Sequence, residues 1–391
     1  MSDVGISSIA GYLPRLRLSK KTVSSANSWL APNLVGKGKG TRSMANWDED
    51  SVTMAVEAVR RILGGDDDRS HVDTLFFAST TMPFVDRLNS GIMRAALTLE
   101  EETQCVDISS TLKSGTSALI QAIDKVKSGN SNYSIVSAAD KRKTRSASSQ
   151  ELDFGDGSVA IAVDTKNLIA KYINSSSLSI DFVDHFRGPG EEFDYNWEER
   201  WVRDEGYLKI VPKAIKDLFT KANISGSDID HFILPSVFPR VDQMIAKKCD
   251  INPENVAGNL AQSVGDTGSA HSLLMFASVL EKAKPGEKIL ICGFGGGSDV
   301  LLFEATDNIK NFKPQQTIEN LLETGVEENN YMKFLTFNDT VKWERGMRGE
   351  QDRKTALTTL YRHNDAIMGL VGGKCSKTGT IQYPASPISV S

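Results

Sequence analysis

The stretch Asp107 to Leu119, Asp-Ile-Ser-Ser-Thr-Leu-Lys-Ser-Gly-Thr-Ser-Ala-Leu, carries the plainest chemical signal in this chain. A β-branched run ends at Val106-Asp107-Ile108, small polar residues follow, and a helix is predicted to open through Gly115-Thr116-Ser117-Ala118. A strand-to-helix turn of this kind aims one side chain, with the free N–H groups of the first helical turn, at a reacting carbonyl. The turn itself offers hydroxyls: Ser109, Ser110, Thr111 and Ser114. A hydroxyl is a nucleophile only beside a base, and small polar residues at a helix start are more often caps. Cys105 falls within the preceding strand and reads as a buried structural thiol. Three ionisable residues elsewhere have a bearing. Asp266, in Gly265-Asp266-Thr267-Gly268, would serve as a base toward an acidic α-carbon or as a helix cap. His271, one turn into the following helix, reads as core or surface. His185, in Asp184-His185-Phe186-Arg187, sits in a segment rich in Tyr, Trp and Glu and is a candidate substrate contact.

Rigid elements must place these groups, and the chain repeats one set of them. From Asp107 to Val163 it reads strand end, small-residue turn, helix, Lys-Ser-Gly stop, strand, then Phe154-Gly155-Asp156-Gly157-Ser158 opening another strand. From Gly258 to Glu304 it reads turn, helix, Lys284-Pro285-Gly286 stop, strand, then Phe294-Gly295-Gly296-Gly297-Ser298 opening another. This is the pattern of a duplicated α/β body. Its apolar runs are continuous, as in sheets covered on both faces. The expected units are residues 1–165, the first half; 166–308, the second half; and 309–391, a linker and extension. The segment Asp181–Leu208 is an excursion over the body. An amphipathic extension is expected over Val341–Tyr361.

Bulk properties narrow the class. At 391 residues with 40% hydrophobic content, the chain can bury a large core. A net charge of −5 argues against a nucleic-acid or anionic-membrane surface. No apolar run reaches the length of about 18 residues that spans a bilayer. Met1-Ser2-Asp3-Val4-Gly5 lacks a signal-peptide pattern, and four cysteines at 105, 249, 292 and 375 give no disulfide framework. A cytoplasmic location is the expectation.

Several segments, in order and spacing, resemble the thiolase superfamily. They are Lys39-Gly40-Thr41-Arg42, Asp48 through Ala55, Ala139-Asp140-Lys141-Arg142 leading to Phe154-Gly155-Asp156-Gly157, and Gly265-Asp266-Thr267-Gly268 leading to Gly293 through Gly297. The resemblance is closest to hydroxymethylglutaryl-CoA synthase and the type III ketoacyl-carrier-protein synthases, especially the form fused to a zinc-ribbon plus oligonucleotide-fold domain. It runs from Val4 to Thr306 and more weakly to Ser391. It implies an α/β thiolase fold: two duplicated halves in a five-layer αβαβα arrangement, with a short C-terminal extension and a dimer seam. It also implies catalysis by a cysteine, a histidine, an asparagine and a glutamate. Here the cysteine slot is Leu112, the histidine slot after Pro235 is Ser236, and the asparagine slot is Asp266. Where the glutamate is due, the chain reads Ser79-Thr80-Thr81-Met82-Pro83. By analogy with a dismantled serine-protease triad, losing the activated nucleophile costs roughly a factor of 10⁶ in rate.

The same resemblance implies that Gly295, Gly296 and Gly297 buttress an acyl pocket, with Ser110, Lys113 and His185 near it. Coenzyme A is the implied ligand, its phosphates meeting Lys39, Arg42 or Lys113; no cofactor is expected. The tail from Gly372 to Pro384 resembles the opening of the zinc ribbon. Zinc needs four thiolate or imidazole ligands, yet only Cys375 is present, with Thr378 in its partner's place, so no metal is expected. The resulting expectation is an acyl-CoA-handling protein without the Cys/His/Asn/Glu machinery. It would act as a non-catalytic subunit beside a thiolase and a zinc-ribbon acyl-CoA-binding protein. The competing expectation is an acyltransferase that forms or cleaves a carbon–carbon bond on acyl-CoA without a cysteine nucleophile, through Asp266, a nearby serine or His185.

Overall fold

The computed structural model describes residues 3–65, 68–344 and 355–391. Part of the extension expected over Val341–Tyr361, residues 345–354, lies outside the described residues. Nine strands form the main sheet: β1 (Gly5–Tyr12), β2 (Thr74–Ala78), β3 (Gln104–Ile108), β4 (Ser134–Asp140), β5 (Gly157–Asp164), β6 (Ala170–Ser179), β7 (His231–Ile233), β8 (Lys288–Phe294) and β9 (Gly297–Ala305). Their order across the sheet is β7-β8-β9-β6-β1-β5-β4-β2-β3.

The duplication is legible in the pairing. From β1 outward the ladders run antiparallel to β5, antiparallel to β4, parallel to β2 and parallel to β3. From β6 outward they run antiparallel to β9, antiparallel to β8 and parallel to β7, and a lone parallel bridge Phe232–Val256 marks the fifth position. The halves meet where Gly5 and Ile6 pair with Lys171 and Ala170. A Cβ on Gly5 would lie 2.1 Å from the Ala170 carbonyl oxygen, so this seam closes only on glycine.

Side chains alternate across each strand, and here both faces are apolar. Val136, Val159, Ile161, Ile291, Leu301 and Phe303 turn to a central layer made by the helices Ser114–Lys127 and His271–Leu280. Their neighbours Ile135, Ala139 and Ala160 turn the other way, against the helix Ser51–Leu63. In the second half Leu290, Cys292, Val300 and Leu302 face the helix Leu208–Ala222. The result is five layers: helix, sheet half, central helix pair, sheet half, helix. Asp50 caps the first outer helix, its carboxylate accepting from the Thr53 N–H at 2.8 Å while the Thr53 hydroxyl accepts from the Asp50 N–H at 2.8 Å.

The excursion ends in a π-helical turn, Val202–Tyr207, leading into the helix Leu208–Ala222, whose Pro212 has no N–H to donate. The Leu208 carbonyl takes a bond from Lys248 Nζ at 2.9 Å instead. After Thr306 the chain folds back on the first half. Val326–Glu328 pairs in parallel with Leu16–Ser19, and Phe334 packs with Leu18, Val23, Leu34 and Met44. Among the described residues no helix is long and apolar enough to cross a membrane.

Candidate functional site

Between β3 and the helix Ser114–Lys127, Ser110 adopts φ 75°, a left-handed conformation that bends the chain sharply. Leu112 follows and forms part of the wall of a cavity of about 250 Å³. Gly295, at φ 151°, stands behind this turn: a Cβ there would lie 2.8 Å from Thr111 Oγ1 and 3.3 Å from Leu112 Cβ. The Thr111 hydroxyl donates to the Gly295 carbonyl. Gly295 thus sets the turn's position from behind, while Gly296 and Gly297 lead into β9; none of the three lines the cavity.

Asp266 does line it. Its Oδ2 accepts from Arg142 Nη2 at 2.9 Å, and its Oδ1 accepts from the Gly268 N–H at 3.0 Å, so pairing and capping coexist. Arg142 is almost wholly buried and its guanidinium lies 3.4 Å from the centre of the Phe154 ring. His185 lines it too, with Nδ1 2.9 Å from the Asp184 carboxylate. Tyr207, at the end of the π-helical turn, is partly buried against the second-half core. Burial first, then the Asp266 and Asp184 charges, push its phenol far above the usual range, so it stays a hydrogen-bond donor. Trp197, Phe154, Val202, Val237 and Phe238 supply the apolar lining.

The other expected residues sit elsewhere. The Ser236 hydroxyl accepts from the Phe238 N–H at 3.0 Å, shaping its own loop, and Ser236 faces a neighbouring cleft of about 270 Å³. That cleft shares Asp153, Val237 and Phe238 with the first and carries Lys20 and Arg240. Burial pulls the Lys20 ammonium down to about 8. Two phosphate contacts suggested by sequence are corrected. Lys113 is committed to Asp299 at 2.9 Å, where Thr116 and Ser117 also donate to the carboxylate, so its charge is spent inside the fold. Arg42 is completely buried against Asp156 and cannot reach a solvent-borne phosphate. Lys39 remains exposed.

The hydroxyl run that replaces the expected glutamate has its own task. Ser79, Thr80 and Thr81 all donate to the Asp140 carboxylate, which also accepts from the Thr80 and Ser269 N–H groups. A buried charge with five donors is satisfied and structural. His271 is likewise structural: buried, with Nδ1 accepting from the Thr267 N–H at 3.1 Å and Nε2 3.0 Å from Asn259 Oδ1. Burial lowers its pKa, so it is neutral.

None of the four cysteines lines the cavity. Burial raises the Cys105 and Cys292 thiols, and Cys249 is pushed up to about 11. Cys375 alone among the described cysteines is lowered, to about 7, by the Thr378 hydroxyl and N–H, and it lies on the tail hairpin. Sequence reasoning missed Arg142, Tyr207 and Trp197. The available signal was the aromatic richness of residues 181–208 and the Asp140-Lys141-Arg142 segment, quoted for its resemblance without a role.

Comparison with known proteins places this architecture. Residues 219–301 match the family described as 3-oxoacyl-(acyl-carrier-protein) synthase III, C terminal. Over 351 residues the chain is 28% identical to hydroxymethylglutaryl-CoA synthase of Caldivirga maquilingensis, covering 88% of this chain and 99% of that protein. It is 25% identical over 350 residues to the same-named protein of Methanopyrus kandleri, covering 88% and 98%. Among solved structures, an HMG-CoA synthase complexed with CoA superposes at TM-score 0.77 with 18% identity, covering 90% of this chain and 95% of that one. The 3-oxoacyl-(acyl carrier protein) synthase III of Pseudomonas aeruginosa PAO1 superposes at TM-score 0.68 with 18% identity, covering 78% and 98%. The chain therefore has the mixed α/β thiolase-like fold that these synthases share.

Proposed function

We propose that this thiolase-like chain, whose nucleophile turn ends in an aliphatic side chain, handles acyl-CoA without thiolate chemistry as a non-catalytic subunit of a cytoplasmic complex. In this reading the body pairs as a homodimer or heterodimer, and its partners are a thiolase and a zinc-ribbon acyl-CoA-binding protein. One observation supports it: Leu112, in the slot where the resemblance expects a cysteine, forms part of the cavity wall, and no cysteine is among the lining residues. The likeness to proteins named hydroxymethylglutaryl-CoA synthase, and to one solved with CoA, supports a CoA thioester as the ligand.

The second reading, an acyltransferase that makes or breaks a carbon–carbon bond without an acyl-enzyme, draws on the Asp184–His185 pair. An imidazole held by a carboxylate is the arrangement of a general base. Incubating the purified chain with acetyl-CoA and acetoacetyl-CoA separates the two. The expected result is no covalent adduct by intact mass and no CoA release above the buffer control. Turnover lost in Asp266→Ala or His185→Ala would establish the second reading and end the first. Co-purification with a thiolase from the native source, with that thiolase's activity falling when this chain is absent, is the matching positive result.

A further inference from the structure

Strands β5 and β9 start near the Leu112 turn, just after Phe154 and Gly295, and run about 25 Å away from it at about 3.3 Å per residue. Beyond their far ends lies a second cavity, of about 480 Å³. Its walls are β1, the end of the helix Ser51–Leu63, the turn after β5 and residues 308–315. Only two of its lining residues are ionisable, Arg61 and Lys313, and both are cations.

Neither cation is neutralised. Arg61 Nη1 donates to the Gly11 carbonyl at 2.6 Å, and its guanidinium lies 5.1 Å from the centre of the Tyr12 ring. These contacts fix the group in place and leave its charge. Glu57, one turn earlier on the helix, is held by Arg60 at 2.6 Å. Lys313 is exposed and has no ion pair among the described residues. Asn311, Gln315 and Ser8 add amide and hydroxyl donors to the same lining. The carbonyl end of the helix also borders the cavity, at Gly64, but it is a partial negative charge against two full cations.

A guanidinium fork, an ammonium and amide N–H groups are the donors that a phosphate dianion takes. A carboxylate, with one charge, would leave one of the two cations unmatched. We propose that this cavity binds a phosphate group carried by a small molecule, at a site separate from the Leu112 cavity. Such a ligand would tie the segment after β9 to the first half.

AMP and adenosine differ only in the phosphate, and the cavity is of a size for either. Calorimetric titration of the full chain is expected to give AMP an affinity about tenfold or more above adenosine. Lys313→Gln and Arg61→Gln should each weaken AMP about threefold or more and leave adenosine unchanged, the scale of one exposed charge contact. Lys313 is exposed, so its variant serves if loss of the Gly11 contact unsettles the other. Inorganic phosphate distinguishes the source. Affinity equal to that of AMP or higher supports a site for free phosphate, and weaker affinity supports one for a phosphate monoester. Acetyl-CoA affinity should be the same in both variants and the native chain. A parallel fall there would make Arg61 and Lys313 part of the acyl-CoA site and overturn the separate one. Equal affinities for AMP and adenosine, binding of none of the three, or AMP affinity unmoved by both substitutions also overturns it.

Discussion

Arg142 and Asp266 hold each other on the pocket wall, and the two are not equally dispensable. Arg142 has 2% of its side chain exposed and Asp266 19%. Removing the cation strands a carboxylate that lies partly inside and uncovers the Phe154 face. Arg142→Met is therefore expected to lower unfolding free energy by about 3 kcal/mol in urea melts, in the range seen when one member of a buried pair is deleted. Asp266→Asn keeps the cap to Gly268 but strands the more deeply buried charge, that of Arg142, and should cost at least as much, about 3 kcal/mol or more. A Gly295→Ala chain should lose about 2 kcal/mol, because the new methyl meets Thr111 and Leu112 at a φ that alanine rarely adopts. At this scale the sequence located Leu112, Asp266 and His185 as candidates for the site. It misjudged Lys113 and Arg42, because the charge of a residue is written in the chain but the partner that neutralises it is not. Asp299, the partner of Lys113, is 186 positions away.

The segment Gln150–Asp153 and the helix Tyr331–Phe337 meet at a carboxylate. Burial raises Glu151 to about 7, against donation from the Tyr331 hydroxyl at 2.9 and 3.0 Å and from the Ala147 N–H. The folded protein then binds a proton that the unfolded chain, near 4.5, has already released. Stability from this group is full below about pH 4.5 and falls as pH rises toward 7, by up to about 3 kcal/mol. Melts of the wild type across that window should show this slope, and Glu151→Gln should flatten it. Losing the Tyr331 hydroxyl, in Tyr331→Phe, should cost about 1–2 kcal/mol and raise Glu151 further. On the tail hairpin the prediction is chemical. Cys375 should be alkylated fastest of the four thiols at neutral pH, and Thr378→Ala should slow it by raising its pKa. Peptide mapping after brief iodoacetamide treatment reads both. The turn at Gly295–Gly297 was visible in sequence as a run of glycines opening a strand. The π-helical turn that seats Tyr207 was not.

For the molecule as a whole, one core spans both halves. Leu119 and Ile123 from the first central helix, Leu273 and Phe276 from the second, and Phe303 from β9 belong to a single buried cluster. The chain should therefore unfold as one cooperative unit, with coincident transitions by circular dichroism and calorimetry. Phe303→Ala should lower stability by about 3–5 kcal/mol without splitting that transition. Two separable transitions would show that the seam at Gly5 and Ala170 does not couple the halves. By itself the sequence determined the doubled α/β body, because strand length, glycine-opened turns and two-faced apolar runs are local properties that each half states twice. Only the tertiary structure decided what the site can hold. Arg142 finds Asp266 across 124 residues and Lys37 finds Asp153 across 116. Coulomb interactions depend on distance in space, so no reading along the chain could show that these cations are already taken.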